Sequence, residues 1–568
     1  MTQKTGYPSI DRPWLKYYSE EAINAPLPEC TIYEYLWRQN KDYLNRIALN
    51  YFDNRIAFRE LFRNIDRTAA AFAVLGVKAG DIVVIASVTT PETIYAFYAL
   101  NRLGAVSNMV DPRTSAEGIR EYIREVNATV VMVLDATYGK IKEAIRGTNV
   151  KKIVIVSPAD SLRGIKRLGY RLTKPAPKLD ENCVSWRDFI EVGRGKTYDE
   201  EPYRKDRCCL IVHTGGTTGS PKGVMLSDDN LNALVQQSIL TGIDMQRIHT
   251  WMDIMPPFIA YGLGMGVCLP LVIGMETILI PSFDPKKFDE LIIRHRPVHM
   301  VFVPSYWGTI IRSKKMDRID LSNIVLAAVG GDSLDIELEK AANAFLKMHG
   351  SKHAVTKGYG MSEVCAAVTA TIDANNEIGS VGIPYVHTTI SIFDPETGEE
   401  LTYNQRGEVC ITGPNVMLGY YGNPEATNAI LRRHADGRLW IHSGDIGYMN
   451  ENGSLFIVDR MKRMIVRHDG FKVFPSQIEK TVARHNSVES CCTVGTRDTA
   501  HSQGKLPVVF AVLKPHADAQ QTEAELRRLC LLELPEYAQP IQYRFIDALP
   551  LTPIGKIDYR ALETAANQ

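Results

Sequence analysis

The chain reads as an α/β protein of helix-covered parallel sheets, and three observations carry that reading. At 568 residues it exceeds what one ordinary core organises, so two or more domains are expected. Hydrophobic content of 45% and charged content of 23% are those of a globular protein. Short apolar runs alternate with stretches of helical period, at the spacing of strand–helix–strand units.

In order, residues 1–50 are rich in aromatics, and Trp14, Tyr17 and Tyr18 predict an N-terminal arm packed on the body. From 58 to 75, Leu61, Ile65, Ala69, Phe72 and Leu75 recur every three to four positions, which predicts a helix ended by Gly76 and Gly80. The run 81–86 predicts a buried strand, 93–103 a helix and 105–110 a strand; 116–126 and 129–134 repeat the pair. Segment 262–280 is the longest apolar stretch, but Pro270, Glu276 and its glycines predict a buried helix followed by a strand rather than a membrane span. Further buried strands are expected at 277–280, 299–303 and 324–329, the last running into Gly330-Gly331-Asp332.

Segment 162–174 differs from its surroundings. It is strongly basic, with apolar Leu162, Ile165, Leu168 and Leu172 at helical spacing. That pattern suits an interfacial amphipathic helix in peripheral contact with a membrane, or a solvated surface insertion ended by Pro175 and Pro177.

Lys+Arg and Asp+Glu are both 65, which removes bulk attraction for nucleic acid, and none is expected as a partner. Ten cysteines without a CxxC pair read as reduced thiols. Residues 1–6 carry no apolar signal core, and the expected location is the cytoplasm, with 162–174 as a contact to the inner membrane surface.

The chemistry starts at His213-Thr214-Gly215-Gly216-Thr217-Thr218-Gly219-Ser220-Pro221-Lys222-Gly223, after the apolar run 209–212. Glycines let backbone N–H groups close round a ligand, hydroxyls add donors and Lys222 adds a point charge, so the loop reads as a phosphate cradle after a strand. It is not a Walker A loop, because Pro221 precedes the lysine and Gly223 follows it. Further along stand Lys357-Gly358-Tyr359-Gly360-Met361-Ser362-Glu363, Trp440-Ile441-His442-Ser443-Gly444-Asp445, Asp459-Arg460 and Pro550-Leu551-Thr552-Pro553-Ile554-Gly555-Lys556. An aromatic can stack on a base, a carboxylate can hold Mg²⁺ and a second carboxylate can accept from a ribose diol.

Together and in this order, the motifs resemble those of the adenylate-forming enzymes: AMP-forming acyl-CoA synthetases, peptide-synthetase adenylation domains and luciferases. The resemblance covers most of the chain and is poor in the first 50 residues and in 162–174. It implies a large N-terminal domain of parallel sheets plus a distorted β-barrel, 1–461, and a small mobile α+β domain, 462–568, with the hinge near Lys462. It implies an ATP site from Thr214, Gly215, Gly216, Thr217, Thr218, Gly219, Lys222, Gly331, Asp332, Gly358, Tyr359, Gly360, Asp445 and Arg460. Catalytic roles fall on Lys556, Ser362 and Glu363, with Glu363 also the Mg²⁺ ligand. Ser362 stands where the family often has Thr. Gly470, Phe471 and Lys472 would line a CoA tunnel after the small domain rotates.

The implied reaction joins a carboxylic acid to AMP from ATP, then passes the acyl group to a thiol, most naturally CoA. The implied acyl pocket is Ile259, Tyr261, Tyr306 and Gly331. Where many members carry a histidine this chain has Ile259, which makes the entrance more apolar. No Asp occurs at 256–264 to hold an amino group, which argues against an amino acid. A medium- or long-chain fatty acid is expected, with an aryl or other bulky acid, or transfer to an acyl-carrier protein, as alternatives.

Overall fold

The computed structural model describes residues 4–173, 177–214, 222–469, 471–501, 503–551 and 557–568. Of the residues singled out above, Gly215, Gly216, Thr217, Thr218, Gly219, Gly470 and Lys556 lie outside this range, as do the side chains of Lys462 and Lys472.

Two mainly parallel sheets build the large domain. One runs Gly419–Tyr420, Gly223–Ser227, Cys208–His213, Val106–Val110, Ile82–Ala86, Val130–Leu134, Lys152–Val156, Cys183–Ser185, and is parallel from Cys208–His213 onward. The other runs Thr356–Lys357, Leu326–Val329, His299–Phe302, Thr250–Asp253, Glu276–Leu279, Ile47–Tyr51, Asn54–Ala57, and only its last pair is antiparallel. The central strands are buried on both faces, as continuous Val/Ile/Leu runs require.

The helices follow from period and caps. Phe58–Val74 buries Phe58, Leu61, Phe62, Ile65, Ala69 and Phe72 on one stripe. Pro91–Arg102 starts on Thr90, whose side chain accepts from Thr93 N–H, and Ala116–Glu125 starts on Ser115 in the same way. The apolar segment 262–280 resolves into wide π-type turns at Tyr261–Cys268, an α-helix Leu269–Ile273 and the strand Glu276–Leu279. Gly262 allows the close approach there: a Cβ would stand 1.9 Å from the Pro256 carbonyl oxygen. Among the described residues no helix is long and apolar enough to cross a membrane.

A five-stranded antiparallel sheet, Thr389–Phe393, Gly407–Thr412, Leu439–Met449 and Leu431–Arg433 with Leu455–Arg460 on Leu439–Met449, occupies the place of the expected barrel. Register shifts at Glu408/Cys410 and Ile446/Gly447 distort it. The N-terminal arm closes the domain: Trp14 is fully buried, its backbone is pressed on Gly453 and Tyr18 donates to the Pro384 carbonyl at 2.9 Å.

The small domain has its own core. Helices Pro475–Ala483, Ala519–Glu533 and Tyr559–Ala566 flank a sheet of Val488–Arg497, Lys505–Leu513 and Gln542–Phe545. The chain enters it through a short turn, Met461–Arg463, where Arg463 pairs with Glu479 and, at 3.7 Å, with Asp459.

Candidate active site

Cys208–His213 and Gly223–Ser227 form a hairpin, and its connecting loop is the expected phosphate cradle. The stem is tied just inside the loop. Thr214 N–H donates to the Lys222 carbonyl at 3.1 Å, and Lys222 N–H donates to Thr214 Oγ1 at 3.2 Å. His213, at the base, lies 2.7 Å from Asn108 Oδ1 through Nε2, and burial pushes its pKa down to about 4. The ring is therefore neutral at neutral pH and leaves the positive charge of the loop to Lys222.

Gly223–Ser227 also pairs with Gly419–Tyr420, and this brings Tyr420 between two site residues. Its ring carries the Lys222 ammonium at 4.8 Å, and its hydroxyl donates to Glu363 Oε1 at 2.7 Å. Glu363 is buried in the turn Ser362–Val364 and its carbonyl accepts from Met417 N–H at 3.0 Å. After the turn, Cys365 and Ala366 both have positive φ, at 54° and 83°, and the reversal brings Ala366 back onto Gly360. A Cβ on Gly360 would stand 1.7 Å from the Ala366 carbonyl oxygen, so that glycine is required by packing. A fixed carboxylate beside an ammonium and a phosphate-type loop is a chemically suitable set for Mg²⁺ on a polyphosphate, because Mg²⁺ takes oxygen ligands and shares them with phosphates.

The neighbouring parallel strands Leu326–Val329 and Thr356–Lys357 end side by side, on Gly330 and Gly358. Tyr261 closes the same corner: a Cβ on Gly330 would meet its ring at 3.6 Å and the Gly358 carbonyl at 3.7 Å. Gly331 follows at φ +81°, and Asp332 accepts from Ser333 N–H at 2.8 Å. A crevice at the carboxyl ends of parallel strands is the usual ligand position in open α/β sheets.

Tyr359 leads from that corner to the ribose candidates. Its hydroxyl donates to Asp445 Oδ2 at 2.6 Å, while Arg460 Nε donates to Asp445 Oδ1 at 2.9 Å. Asp445 and Arg460 are register partners in adjacent strands. Burial pushes the Asp445 carboxyl up, and Arg460 and Tyr359 pull it back down. The turn before Asp445 is braced by Glu408, which accepts from Gly444 N–H at 3.0 Å and contacts His442 Nδ1 at 2.7 Å.

Of the other predicted residues, Ile259 packs with Tyr261 against the main core, whereas Tyr306 packs on Phe283 and Phe288 in the second apolar cluster. Phe471 stacks on Tyr537 at 4.7 Å within the small domain. The loop carrying Lys556 is closed at its base by a bridge between Leu551 and Ile557. Tyr559, just beyond, lies within electrostatic reach of Asp332, and Arg460 within reach of Glu363 and Tyr559. Tyr420 and Glu408 were missed by the motif reading. The signal for Tyr420 was its setting, Gly419-Tyr420-Tyr421-Gly422; Glu408 carried none.

The family model for AMP-binding enzyme matches residues 36–421, and that for AMP-binding enzyme C-terminal domain matches 477–556. The chain is 29% identical over 560 residues to the long-chain-fatty-acid–CoA ligase of Bacillus subtilis (strain 168), covering 97% of each chain. It is 30% identical over 500 residues to 4-coumarate–CoA ligase 1 of Petroselinum crispum, covering 86% of this chain and 85% of that one. The structure of the anthranilate CoA ligase AuaEII in complex with anthranoyl-AMP superposes with a TM-score of 0.80 at 20% identity, over 96% of this chain and 99% of that one. The chain belongs to the AMP-binding enzyme family, within the adenylate-forming acyl-CoA synthetases.

Proposed function

We propose that this AMP-forming acid–thiol ligase activates a medium- or long-chain fatty acid and delivers it to CoA. The observation that carries the acid is the apolar segment before the π-type turns. Met255 and Phe258 are buried there, Ile259 and Tyr261 pack beside them, and no charged residue occurs between 254 and 264. An acid held by a long alkyl chain calls for apolar surroundings of this kind. The Bacillus subtilis relative, similar over nearly its whole length, is named for a long-chain fatty acid. An aryl acid is the second reading, favoured by the Petroselinum relative and by the ring of Tyr261 at the Gly330 corner.

In this reading a carboxylate oxygen attacks the α-phosphorus of ATP and pyrophosphate leaves. The thiol then loses its proton, its sulfur attacks the acyl carbon and AMP leaves. Thr214, Gly215, Gly216, Thr217, Thr218, Gly219 and Lys222 hold the phosphates. Gly331, Asp332, Gly358, Tyr359 and Gly360 frame the adenine, Asp445 takes the ribose hydroxyls and Arg460 the ribose or α-phosphate. Mg²⁺ held by Glu363 would offset the charge of the departing pyrophosphate. Ser362 contacts phosphate or the acyl carboxylate, and Lys556 offsets negative charge as the carboxylate attacks. The boundary between domains falls at 461/462, with Lys462 as the pivot. Rotation there exchanges the Lys556 loop for Gly470, Phe471 and Lys472, so one site runs two half-reactions.

The test is AMP release from ATP and CoA across carboxylic acids from acetate through long-chain fatty acids to aryl acids, with the thioester identified by mass. A maximum at one alkyl chain length is expected. A maximum at an aryl acid would replace the first reading with the second, and acyl-AMP without thioester would move the acceptor to a carrier protein.

A further inference from the structure

The helix Gly164–Thr173 is mounted with its apolar side outward. At 100° per residue Ile165, Leu168 and Leu172 fall within one arc of about 60°. They are 88%, 60% and 77% exposed, and no residue of the helix itself is fully buried. The opposite side faces the body: Tyr170 packs against the main core and Arg167 lies in the field of Asp160. An ordinary surface helix has the reverse arrangement, apolar in and charged out. Singly exposed leucines need no explanation, but three in line do.

The surroundings carry more cations than carboxylates. Arg163 and Arg63 share Glu60, at 3.8 and 3.9 Å, and Lys166 and Arg294 share Asp53. Exposed Arg171 shares the field of Asp160 with Arg167, and Asp135 lies near, so cations outnumber carboxylates round the helix in a chain whose net charge is zero. Lys166 also donates to the carbonyl of Phe52 at 2.8 Å, and Phe52 is itself 40% exposed, beside the helix.

We propose that this face docks onto an anionic lipid bilayer, with Ile165, Leu168 and Leu172 entering the headgroup boundary and the surrounding cations meeting lipid phosphates. An apolar stripe bordered by cations is the chemistry such a surface selects. A second copy of the chain fits less well, because symmetric pairing of this face sets two basic rims against each other. The helix is ten residues long, so it lies on the bilayer and does not cross it. The inference is independent of which acid the enzyme activates.

The experiment is co-sedimentation of the full chain with vesicles of one part phosphatidylglycerol to two parts phosphatidylcholine, against pure phosphatidylcholine. Partitioning onto the anionic vesicles is expected, weakened by salt. The variant Ile165→Ser/Leu168→Ser/Leu172→Ser should lose about 100-fold in partitioning, since each inserted side chain contributes roughly tenfold or less at partial depth. Arg163→Gln and Arg171→Gln should each lose roughly fivefold. Turnover of a water-soluble acid should stay at the wild-type rate, which shows that the variants are folded. If the triple variant does not fold, Ile165→Trp reports in its place, by quenching with brominated phosphatidylglycerol beyond that of the wild-type chain. Equal pelleting of wild type and triple variant, or equal pelleting on both lipids, overturns the proposal. A dimer abolished by the triple variant, with no pelleting of wild type, reassigns the face to a second copy.

Discussion

Tyr420→Phe separates two jobs that the structure gives one side chain. The substitution keeps the ring that carries Lys222 at 4.8 Å and deletes only the hydroxyl that donates to Glu363 at 2.7 Å. A hydrogen bond to a charged group contributes about 1.5–3 kcal/mol, and an outer partner of a metal-holding carboxylate is typically worth about 10–100-fold in metal affinity. If Glu363 holds Mg²⁺, the Mg²⁺ concentration for half-maximal ATP–pyrophosphate exchange should rise about 10–100-fold, with the rate at saturating Mg²⁺ nearly retained. Tyr420→Leu also removes the π face under Lys222, worth about 0.5–2 kcal/mol, and should add a higher KM for ATP. Glu363→Gln is the reference, with a larger loss than either. A Mg²⁺ titration of Tyr420→Phe that overlays wild type, while Glu363→Gln shifts it, would show that the hydroxyl does not orient the carboxylate. Overlay of both would remove Glu363 as the metal ligand.

Asp445→Asn keeps the shape and loses the charge that pairs with Arg460 at 2.9 Å, so the KM for ATP should rise at least about tenfold with the acid KM little changed; an unaltered ATP KM takes Asp445 out of the ribose site. Lys556→Ala should abolish acyl-AMP formation and spare thioester formation from supplied acyl-AMP, whereas Gly470→Trp should do the reverse; equal loss of both half-reactions in either variant contradicts the exchange of loops. Asp253 is fully buried, accepts from Met255 N–H at 2.9 Å and is pushed up to about 8, so the folded protein holds a proton that the unfolded chain releases near pH 4. Its share of stability is therefore complete below pH 4 and falls as pH rises to 8, by about 1.4 kcal/mol per pH unit at most. Asp253→Asn should flatten the fall of Tm between pH 5 and pH 8, and parallel Tm curves for the two proteins would refute the buried proton.

Much of the fold was legible because strand and helix periods are local. The runs at 81–86, 105–110 and 129–134 became neighbouring parallel strands, and 58–75 became the helix Phe58–Val74. The candidate site was legible as separate motifs, since glycine, hydroxyl and carboxylate clusters suggest a loop's chemistry. What joins the motifs was not. Tyr420 meets Glu363 across 57 residues and Tyr359 meets Asp445 across 86, and no period spans such distances. Glu408 was invisible for the same reason, bracing Gly444 from 36 residues away. For the helix Gly164–Thr173 the spacing marked an apolar stripe, but only the packing of Tyr170 revealed which side turns to the body.

The clasp between the first and last parts of the large domain bears on how the chain is made. Trp14 leaves the ribosome more than 400 residues ahead of Gly453, whose backbone covers it. Ser9 likewise donates to Glu400, and Tyr18 to Pro384. Domains fold largely in order of emergence, so the aromatic arm spends most of synthesis without its seat. The sheets at 82–110 can assemble long before, yet the large domain is sealed only when its final hairpin arrives. A nascent chain stalled ahead of Gly453 exposes Trp14, Tyr17 and Tyr18, which makes that interval the natural one for a chaperone to hold the chain.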